Sequence, residues 1–462
     1  MNIFPTEDTI VALSTPAGKG ALAIVRMSGE KSLEIVNQMF SRPISPKAHR
    51  KAHFGKIVHP ESGEVVDEVV VTFFRAPHSY TGEHVVEISC HNNFLIVDQI
   101  IRLAIARGAR PARPGEFTER AFLNHKLDLA QAEAVASLID SRTRLGVRTS
   151  LRQLEGGLSR KIHRLKEQLM NILALVEVSL DFNEEEMEVY RPDELEQAAQ
   201  KVVKELERLL SSYSLGRLLN EGLRLVLLGK PNVGKSSLLN HLLQHERAIV
   251  SEIPGTTRDY IEETVEIEGI PVQVVDTAGV RETRDPVEEA GVKRALEHAR
   301  TADIVLAMFD AHSELDKDDR RLLELLQELR NSGTIILVCN KIDLGCHPGT
   351  LEQLSRLKRL MVRISALTGE GVAELRQRIK QAVVAGEVGE DELLLTSARH
   401  RVAVEKAREA LLSFIRGLRL KADEVILATD LRSALDYLGE VVGETTTEDI
   451  LNHIFGQFCI GK

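Results

Sequence analysis

Cysteine is scarce in this 462-residue chain, which has four: Cys90, Cys339, Cys346 and Cys459. They show no paired metal-ligand spacing and are too few for a disulfide framework, so a reducing cytoplasm is the expected compartment. Long apolar runs are also missing. Runs such as Leu225–Leu228 and Ile335–Cys339 have strand length, well short of the roughly 20 residues of a membrane span. The amino end lacks the basic-then-apolar pattern of a secretion signal, because Glu7 and Asp8 arrive early. No GxGxxG string follows a predicted strand, so flavin or nicotinamide chemistry would have to come from a partner. The net charge of −10 excludes a general nucleic-acid coat. It is uneven, however: residues 1–120 hold 14 Lys/Arg against 13 Asp/Glu, which leaves −11 for the remainder. Any nucleic-acid partner must therefore meet a local patch. The hydrophobic fraction of 43% and charged fraction of 28% exclude a mostly disordered chain, and the length suggests about three domains.

Residues 1–119 read as mixed α/β. Strands are predicted at Thr9–Ser14, Ala21–Met27, Val65–Phe74 and Val85–Ser89, a hairpin loop at Pro60–Gly63, and a helix over Phe94–Ala106. Across residues 120–220 glycine and proline nearly vanish. Leu151, Leu154, Leu158, Ile162, Leu165, Leu169, Ile172 and Val176 recur every three or four residues, which predicts one face of a single long helix. Leu195, Ala199, Val202, Leu206 and Leu209 repeat the pattern after Pro192, a favoured first-turn residue. The acidic run Glu184–Glu186 between them reads as a solvated connection. Residues 221–384 alternate strands and helices, with strands predicted at Leu223–Leu228, Val272–Val275, Ile304–Phe309, Ile335–Cys339 and Met361–Ile364. That alternation marks a mostly parallel sheet with helices on both faces. Helical composition returns from Ala398. The simplest organisation is an α+β domain (1–119), a helical-bundle domain in two parts (120–220 and 385–462), and an α/β domain (221–384) inserted between those parts.

The inserted segment carries the chemistry. Gly229-Lys230-Pro231-Asn232-Val233-Gly234-Lys235-Ser236 fits GxxxxGK[ST] between a predicted strand and a predicted helix, the context a phosphate-binding loop requires. Its amides and the helix N-terminus suit phosphate oxygens, Lys235 the terminal phosphates and Ser236 a magnesium ion; Ser237 follows. Asp276-Thr277-Ala278-Gly279 ends one strand, where a carboxylate can hold magnesium through water and Gly279 can sense the last phosphate. Asn340-Lys341-Ile342-Asp343 ends another. The Asp343 carboxylate can accept two hydrogen bonds from guanine, a pair that adenine does not offer, so GTP is selected. Ser365-Ala366 ends the last strand, where an amide can meet the guanine oxygen. Each tetrapeptide alone is weak; in order, each at a strand C-terminus, they are strong.

These motifs resemble the translation-factor-like GTPases, within a Ras-like fold. In such proteins the second threonine of Gly255-Thr256-Thr257-Arg258-Asp259, here Thr257, closes on magnesium. One departure matters: where Ras-like proteins place a water-orienting glutamine after the DxxG glycine, this chain has Val280. Glu282, Asp285, Glu288 and Glu289 are the nearby acidic candidates.

The ends of the chain narrow the resemblance. The chain finishes Cys459-Ile460-Gly461-Lys462 after the amphipathic Ile450, Leu451, Ile454, Phe455 and Phe458, with Thr445 and Glu448 in capping-box spacing. A second string runs Arg113-Pro114-Gly115-Glu116-Phe117-Thr118-Glu119-Arg120, continuing through Lys126-Leu127-Asp128-Leu129. Together with the insertion and GTTRD, these strings resemble the MnmE (TrmE) family of tRNA-modification GTPases over essentially the whole chain.

The resemblance implies a homodimer joined through a folate-binding N-terminal domain, a helical domain and an inserted GTPase domain. It implies action with an FAD-dependent partner, MnmG (GidA), on tRNA. Together they would install an aminomethyl or carboxymethylaminomethyl group at carbon five of the wobble uridine, the carbon coming from a formyl- or methylene-tetrahydrofolate. It implies folate contacts at Arg26, Glu87, Lys126 and Lys462, a water-orienting role for Glu288, and a chemical role for Cys459. It implies that the nucleotide is also met by Ser251, Glu252, Ile253, Pro254, Gly255 and Thr256. A potassium ion would replace the arginine finger, held by Asn232, Ser251, Ile253 and Thr256. Where the family continues the Glu87 strand into His-Gly-Gly, this chain reads Cys90-His91-Asn92-Asn93, and asparagine can keep the turn by taking left-handed backbone conformations. The rival readings are a ribosome-assembly or regulatory GTPase with interaction modules on its flanks, and a folate one-carbon transferase merely regulated by GTP.

Overall fold

The computed structural model describes residues 8–181, 190–244, 262–276, 297–329, 334–383, 393–445 and 447–462. They form two compact units. One comprises the described residues of Met1–Ala136, Leu154–His163 and Asp436–Lys462; the other those of Ser137–Gln153 and Arg164–Leu435.

The first unit is built on a six-stranded sheet: β1 (Thr9–Leu13), β2 (Leu22–Ser28), β3 (Ala52–Val58), β4 (Val65–Phe74), β5 (Val85–His91) and β6 (Ala109–Pro111). The order is β3-β4-β5-β2-β1-β6, antiparallel throughout except for β1 with β6. Alternation divides the residues between faces. Val25, Met27, Val69, Val71, Phe73, Val86 and Ile88 are buried with Ile35 and Val36 of the helix Ser32–Asn37 and Val97, Ile100 and Leu103 of the helix Phe94–Ile105. The intervening positions put Arg26 directly opposite Glu87 on the other face. The four predicted strands and the helix are all present. β3 and β6 were not expected, because β3 is a polar edge strand and β6 is three residues long.

The Cys90–Asn93 departure resolves differently from expectation. β5 continues through His91, and Asn93 is extended (φ −109°) and caps the next helix, its side chain accepting from the Leu95 amide at 2.9 Å. Neither Asn92 nor Asn93 is left-handed. N-capping, rather than left-handed tolerance, is what suits asparagine here.

In the second unit, the helices Pro192–Glu221 and Ala398–Arg419 pack along each other. Leu195, Ala199, Val202, Leu206 and Leu209 are buried as their spacing predicts. The single long helix expected from Leu151 onward is instead two, Arg144–Leu154 and Gly157–Asp181, broken where Gly156 turns left-handed (φ +80°). The second sheet contains β7 (Leu223–Leu228), β8 (Glu262–Ile267), β9 (Ile270–Asp276), β10 (Ile304–Asp310), β11 (Thr334–Asn340) and β12 (Leu360–Arg363), in the order β12-β11-β10-β7-β9-β8. All pairs are parallel except the β8–β9 hairpin, whose Glu268-Gly269 turn has both φ angles positive (+51° and +83°), as a two-residue hairpin turn favours. Both faces are covered: Leu225 and Leu227 enter one apolar core, Val226 and Leu228 another. Among the described residues, no helix is long and apolar enough to cross a membrane.

Candidate active site

The strand ends of the second sheet converge on one edge. β7 delivers Gly229–Gly234 into the helix Lys235–Gln244. The loop is shaped by Asn232 (φ +59°) and Gly234 (φ +103°). Gly234 has no room for a side chain, since a Cβ there would lie 2.2 Å from the Asn340 amide nitrogen. The Lys235 ammonium donates to the carbonyls of Gly229 (2.7 Å) and Lys230 (2.9 Å), so it lies across the loop. Ser236 and Ser237 are exposed at the start of the helix.

Buried Asn340 ties three segments together. Its side chain donates to the Val233 carbonyl (2.7 Å) and accepts from the Ala366 amide (2.8 Å). The phosphate loop, the guanine loop and the Ser365-Ala366 turn are thus joined by one amide group. Ser365 is buried, and its hydroxyl accepts from the Thr368 amide. Lys341 is left-handed (φ +69°), and its ammonium donates to Asp310 at 2.7 Å, which together with the His312 amide holds the Asp310 carboxyl below its ordinary range against the opposing effect of burial. Asp343 lies exposed in the short turn Ile342–Leu344. Asp276 ends β9 beside Leu227 of β7. Asn232, Val233, Gly234, Lys235, Ser236, Asn340, Lys341, Asp343, Ser365 and Ala366 are therefore gathered at the C-terminal edge of a parallel sheet, where open α/β folds bind ligands. Ser251 to Thr257, Thr277 to Gly279 and Glu288 lie outside the described residues.

A second constellation lies in the first unit. The Arg26 guanidinium pairs with Glu87 (Nη2 to Oε1, 2.7 Å; Nε to Oε1, 2.9 Å) and sits 5.6 Å from the ring centres of both Tyr80 and Phe117. The Tyr80 hydroxyl meets that of Thr118 at 2.9 Å, and burial raises its pKa. The carboxyl end of the chain docks beside it. Phe117 N–H donates to the Lys462 carbonyl (3.0 Å), Ser14 Oγ to the Gly461 carbonyl (3.1 Å), and Pro114 bridges Ile460. Lys462 N–H reaches back to the Cys459 carbonyl (3.3 Å), and Gly461 is left-handed (φ +96°) at the third position of this turn, where only glycine sits without strain. A Cβ on Gly461 would meet the Leu13 carbonyl oxygen at 2.1 Å. Cys459 is exposed. Lys126 lies across Gly82, in the segment that also carries Tyr80. Arg26, Glu87 and Lys462 are thus drawn together through Phe117.

Behind the docking loop lies an ionic cluster. The Glu116 carboxylate, 2% exposed, accepts from Arg110 (2.8 Å to Nη1), the Arg113 amide (2.8 Å) and Arg120 (3.1 Å). Burial opposes ionisation, yet Arg110, the Arg113 amide and Arg120 bring its pKa down to about 2. Sequence reading missed Tyr80, the role of Phe117, and Lys230, which pairs with Asp316 and Asp319 (both 2.7 Å). The sequence signal that could have pointed to the last is the spacing Asp316-x-x-Asp319, which forms a capping box in the structure. The other capping box, expected at Thr445 and Glu448, is not formed. Thr447 precedes the helix Glu448–Gly456, and Thr445 donates its hydroxyl proton to the Asp436 carbonyl.

The family model for the MnmE helical domain matches residues 129–459, and that for the GTP-binding protein TrmE N-terminus matches residues 9–126. Full-length relatives agree. The chain is 44% identical to the tRNA modification GTPase MnmE of Natranaerobius thermophilus, the alignment covering 99% of this chain and 100% of the relative. It is 46% identical to that of Moorella thermoacetica and 45% identical to that of Aquifex aeolicus, with the same coverage.

Proposed function

The chain belongs to the MnmE (TrmE) family of tRNA-modification GTPases, and on that premise we propose that it works in the cytoplasm as a homodimer with an FAD-dependent partner of the MnmG (GidA) kind. GTP hydrolysis and tRNA modification are the family's shared activity. The finer reading is that an aminomethyl or carboxymethylaminomethyl group is installed at carbon five of the wobble uridine, from formyl- or methylene-tetrahydrofolate. Residues 1–119 bind folate and dimerise, 221–384 hydrolyse GTP, and 120–220 with 385–462 form the helical domain.

One observation carries this reading: the Arg26–Glu87 pair lies against Tyr80 and Phe117, and the tail's Lys462 carbonyl is bonded to Phe117. Aromatic faces suit a pterin ring, Glu87 suits its paired N–H donors, and Arg26, Lys126 and Lys462 suit the carboxylates of a glutamyl tail. When bound, the folate supplies the one-carbon unit; the residues of this chain bind and orient it, with Cys459 presented by the anchored tail.

In the second unit, exposed Ser236 at a helix N-terminus is a suitable hydroxyl ligand for magnesium, with Thr257 as the other ligand and Asp276 acting through water. Asn232, left-handed at the rim of the loop, can offer an oxygen to potassium, with Ser251, Ile253 and Thr256 as further ligands. The ion supplies positive charge beside the phosphates, and Glu288 orients the attacking water. Nucleoside analysis of tRNA from cells lacking this protein tests the reading: the carbon-five modification should disappear, and an unchanged profile would overturn it. Loss of folate binding in full-length Arg26→Ala would tie the reaction to the first unit.

A further inference from the structure

The connection that leaves β10 carries more carboxylates than a turn requires. Asp310 ends the strand, and Asp316 and Asp319 begin the helix Lys317–Glu328. Asp316 caps that helix by accepting from the amides of Asp318 and Asp319, while Asp319 accepts back from the Asp316 amide. Both carboxylates are thus fixed by the capping box independently of any partner. Onto them closes Lys230, the second residue of the phosphate loop, with its ammonium 2.7 Å from each. At the other end of the connection, Asp310 is fixed by the His312 amide and takes the ammonium of Lys341 from the guanine loop at 2.7 Å. The connection also exchanges backbone bonds with that loop: Ala311 donates to the Asn340 carbonyl and His347 to the Ala311 carbonyl.

From this geometry we propose that the segment Asp310–Asp319 is a bracket that positions both nucleotide loops, gripping the phosphate loop through Lys230 and the guanine loop through Lys341. Lys230 is then a positioning residue. Its carbonyl accepts from Lys235, so the phosphate-binding lysine rests on a residue whose own side chain is tethered elsewhere. Exposed ion pairs contribute little, but this one is different, because Asp319 is 1% exposed and Lys230 15%.

The inference rests on the assignment of Gly229–Ser236 to phosphate and Asn340–Asp343 to guanine. It also makes the two grips separable. Releasing Lys230 loosens the phosphate loop, which weakens GDP and IDP alike and leaves base choice intact. Releasing Lys341 loosens the guanine loop and erodes discrimination between GDP and IDP, which lacks the exocyclic amine.

The test is calorimetric titration of the full-length protein with GDP and IDP in magnesium. Lys230→Ala should weaken both by roughly tenfold with their ratio unchanged, and Lys230→Arg should recover most of the loss, since a guanidinium can still serve two carboxylates. Asp310→Asn should shrink the GDP/IDP ratio by roughly tenfold. Wild-type GDP affinity in Lys230→Ala, or an altered base ratio in that variant, would overturn the bracket. If Lys230→Ala does not fold, Asp316→Asn releases one grip while keeping a cap oxygen, and wild-type affinity there would be equally fatal. Lys235→Ala separates the two levels: unchanged GDP binding in it would overturn the phosphate-loop assignment and the bracket with it.

Discussion

Gly115 and Phe455 meet backbone to backbone: a Cβ atom on Gly115 would lie 2.4 Å from the Phe455 carbonyl oxygen. Gly115 is left-handed (φ +70°) and opens the helix Glu116–Leu123, while Phe455 belongs to the helix that leads into the tail. The buried residues Leu129, Ala132, Ile454, Phe455 and Phe458 pack beside this contact. Approach this close holds the tail against the Arg113–Phe117 loop.

The first prediction follows from that contact. Gly115→Ala pushes the tail helix away from its loop and adds left-handed strain of about 1–2 kcal/mol. Hydrolysis of GTP should persist, while tRNA modification falls by roughly tenfold to a hundredfold, the upper figure being the scale reached when reacting groups are displaced by about 1 Å. Chymotrypsin, which cuts after phenylalanine, should release the residues beyond Phe455 and Phe458 faster than in the wild type, where both rings are buried. Normal modification in this variant would sink the idea that tail docking matters.

Glu116 makes a pH-dependent contribution. Its folded pKa of about 2 lies below the ordinary 4.5. A depressed carboxylate stabilises the folded state fully above the unfolded pKa and loses that contribution as pH falls through the folded one. The window is therefore about pH 4.5 down to about 2, and the contribution at neutral pH is on the order of 3 kcal/mol. Glu116→Gln should lower the melting temperature at pH 7, and the gap to wild type should narrow steadily between pH 4.5 and 2. A constant gap across that range would show that the effect is packing rather than charge.

The elements legible in sequence were those whose physics is local. The strands β10 and β11, and β7 beyond Arg224, are short apolar runs that both faces of a parallel sheet bury, so composition alone marks them. The phosphate loop declares itself through glycines at left-handed or crowded positions. β3 did not, because an edge strand with Ala52, His53, Gly55 and Lys56 has little apolar alternation. The break at Gly156 was hidden because leucines keep helical spacing on both sides of it. Tyr80 and Phe117 beside Arg26, and Asp316 and Asp319 beside Lys230, are separated by tens of residues in sequence, and no period or motif connects them.

We propose that guanine choice rests on Asp343, which stands exposed just beyond the end of β11. Asp343→Asn replaces an acceptor oxygen by a donor facing guanine's own donors. GTP affinity should fall by about 1.5–3 kcal/mol, the cost of losing a charged hydrogen-bonded pair. Titration with XTP, whose base offers an acceptor at that edge, should show improved binding. Unaltered GTP affinity would remove Asp343 from the site.

Val280 cannot hydrogen-bond water, and on the family resemblance we propose Glu288 and potassium for hydrolysis. Glu288→Ala should keep nucleotide affinity while turnover drops by a factor on the order of 100 or more. Wild-type turnover should be faster in potassium than in sodium at equal ionic strength, and Asn232→Ala should erase that difference. Full turnover in Glu288→Ala would shift the role to Glu282, Asp285 or Glu289.

Asn340 provides the sharpest stability test, because its one amide joins three loops. Its nitrogen serves the carbonyl of fully buried Val233, and its oxygen serves the amide of nearly buried Ala366. Asn340→Ala leaves both backbone groups without a partner in an apolar setting, at a cost of about 1–3 kcal/mol each. Asn340→Asp is expected to be worse, since it removes the donor and places a carboxylate oxygen against the Val233 carbonyl. Both variants should melt earlier than wild type. The nucleotide provides the discriminating measurement. If Asn340 only stabilises the fold, saturating GDP will raise the melting temperature of variant and wild type by similar amounts. If it presets the phosphate and guanine loops for one ligand, GDP affinity falls along with stability, and the shift at a fixed GDP concentration shrinks in proportion to the logarithm of the lost affinity. Equal shifts would leave Asn340 a core residue that merely lies near the nucleotide.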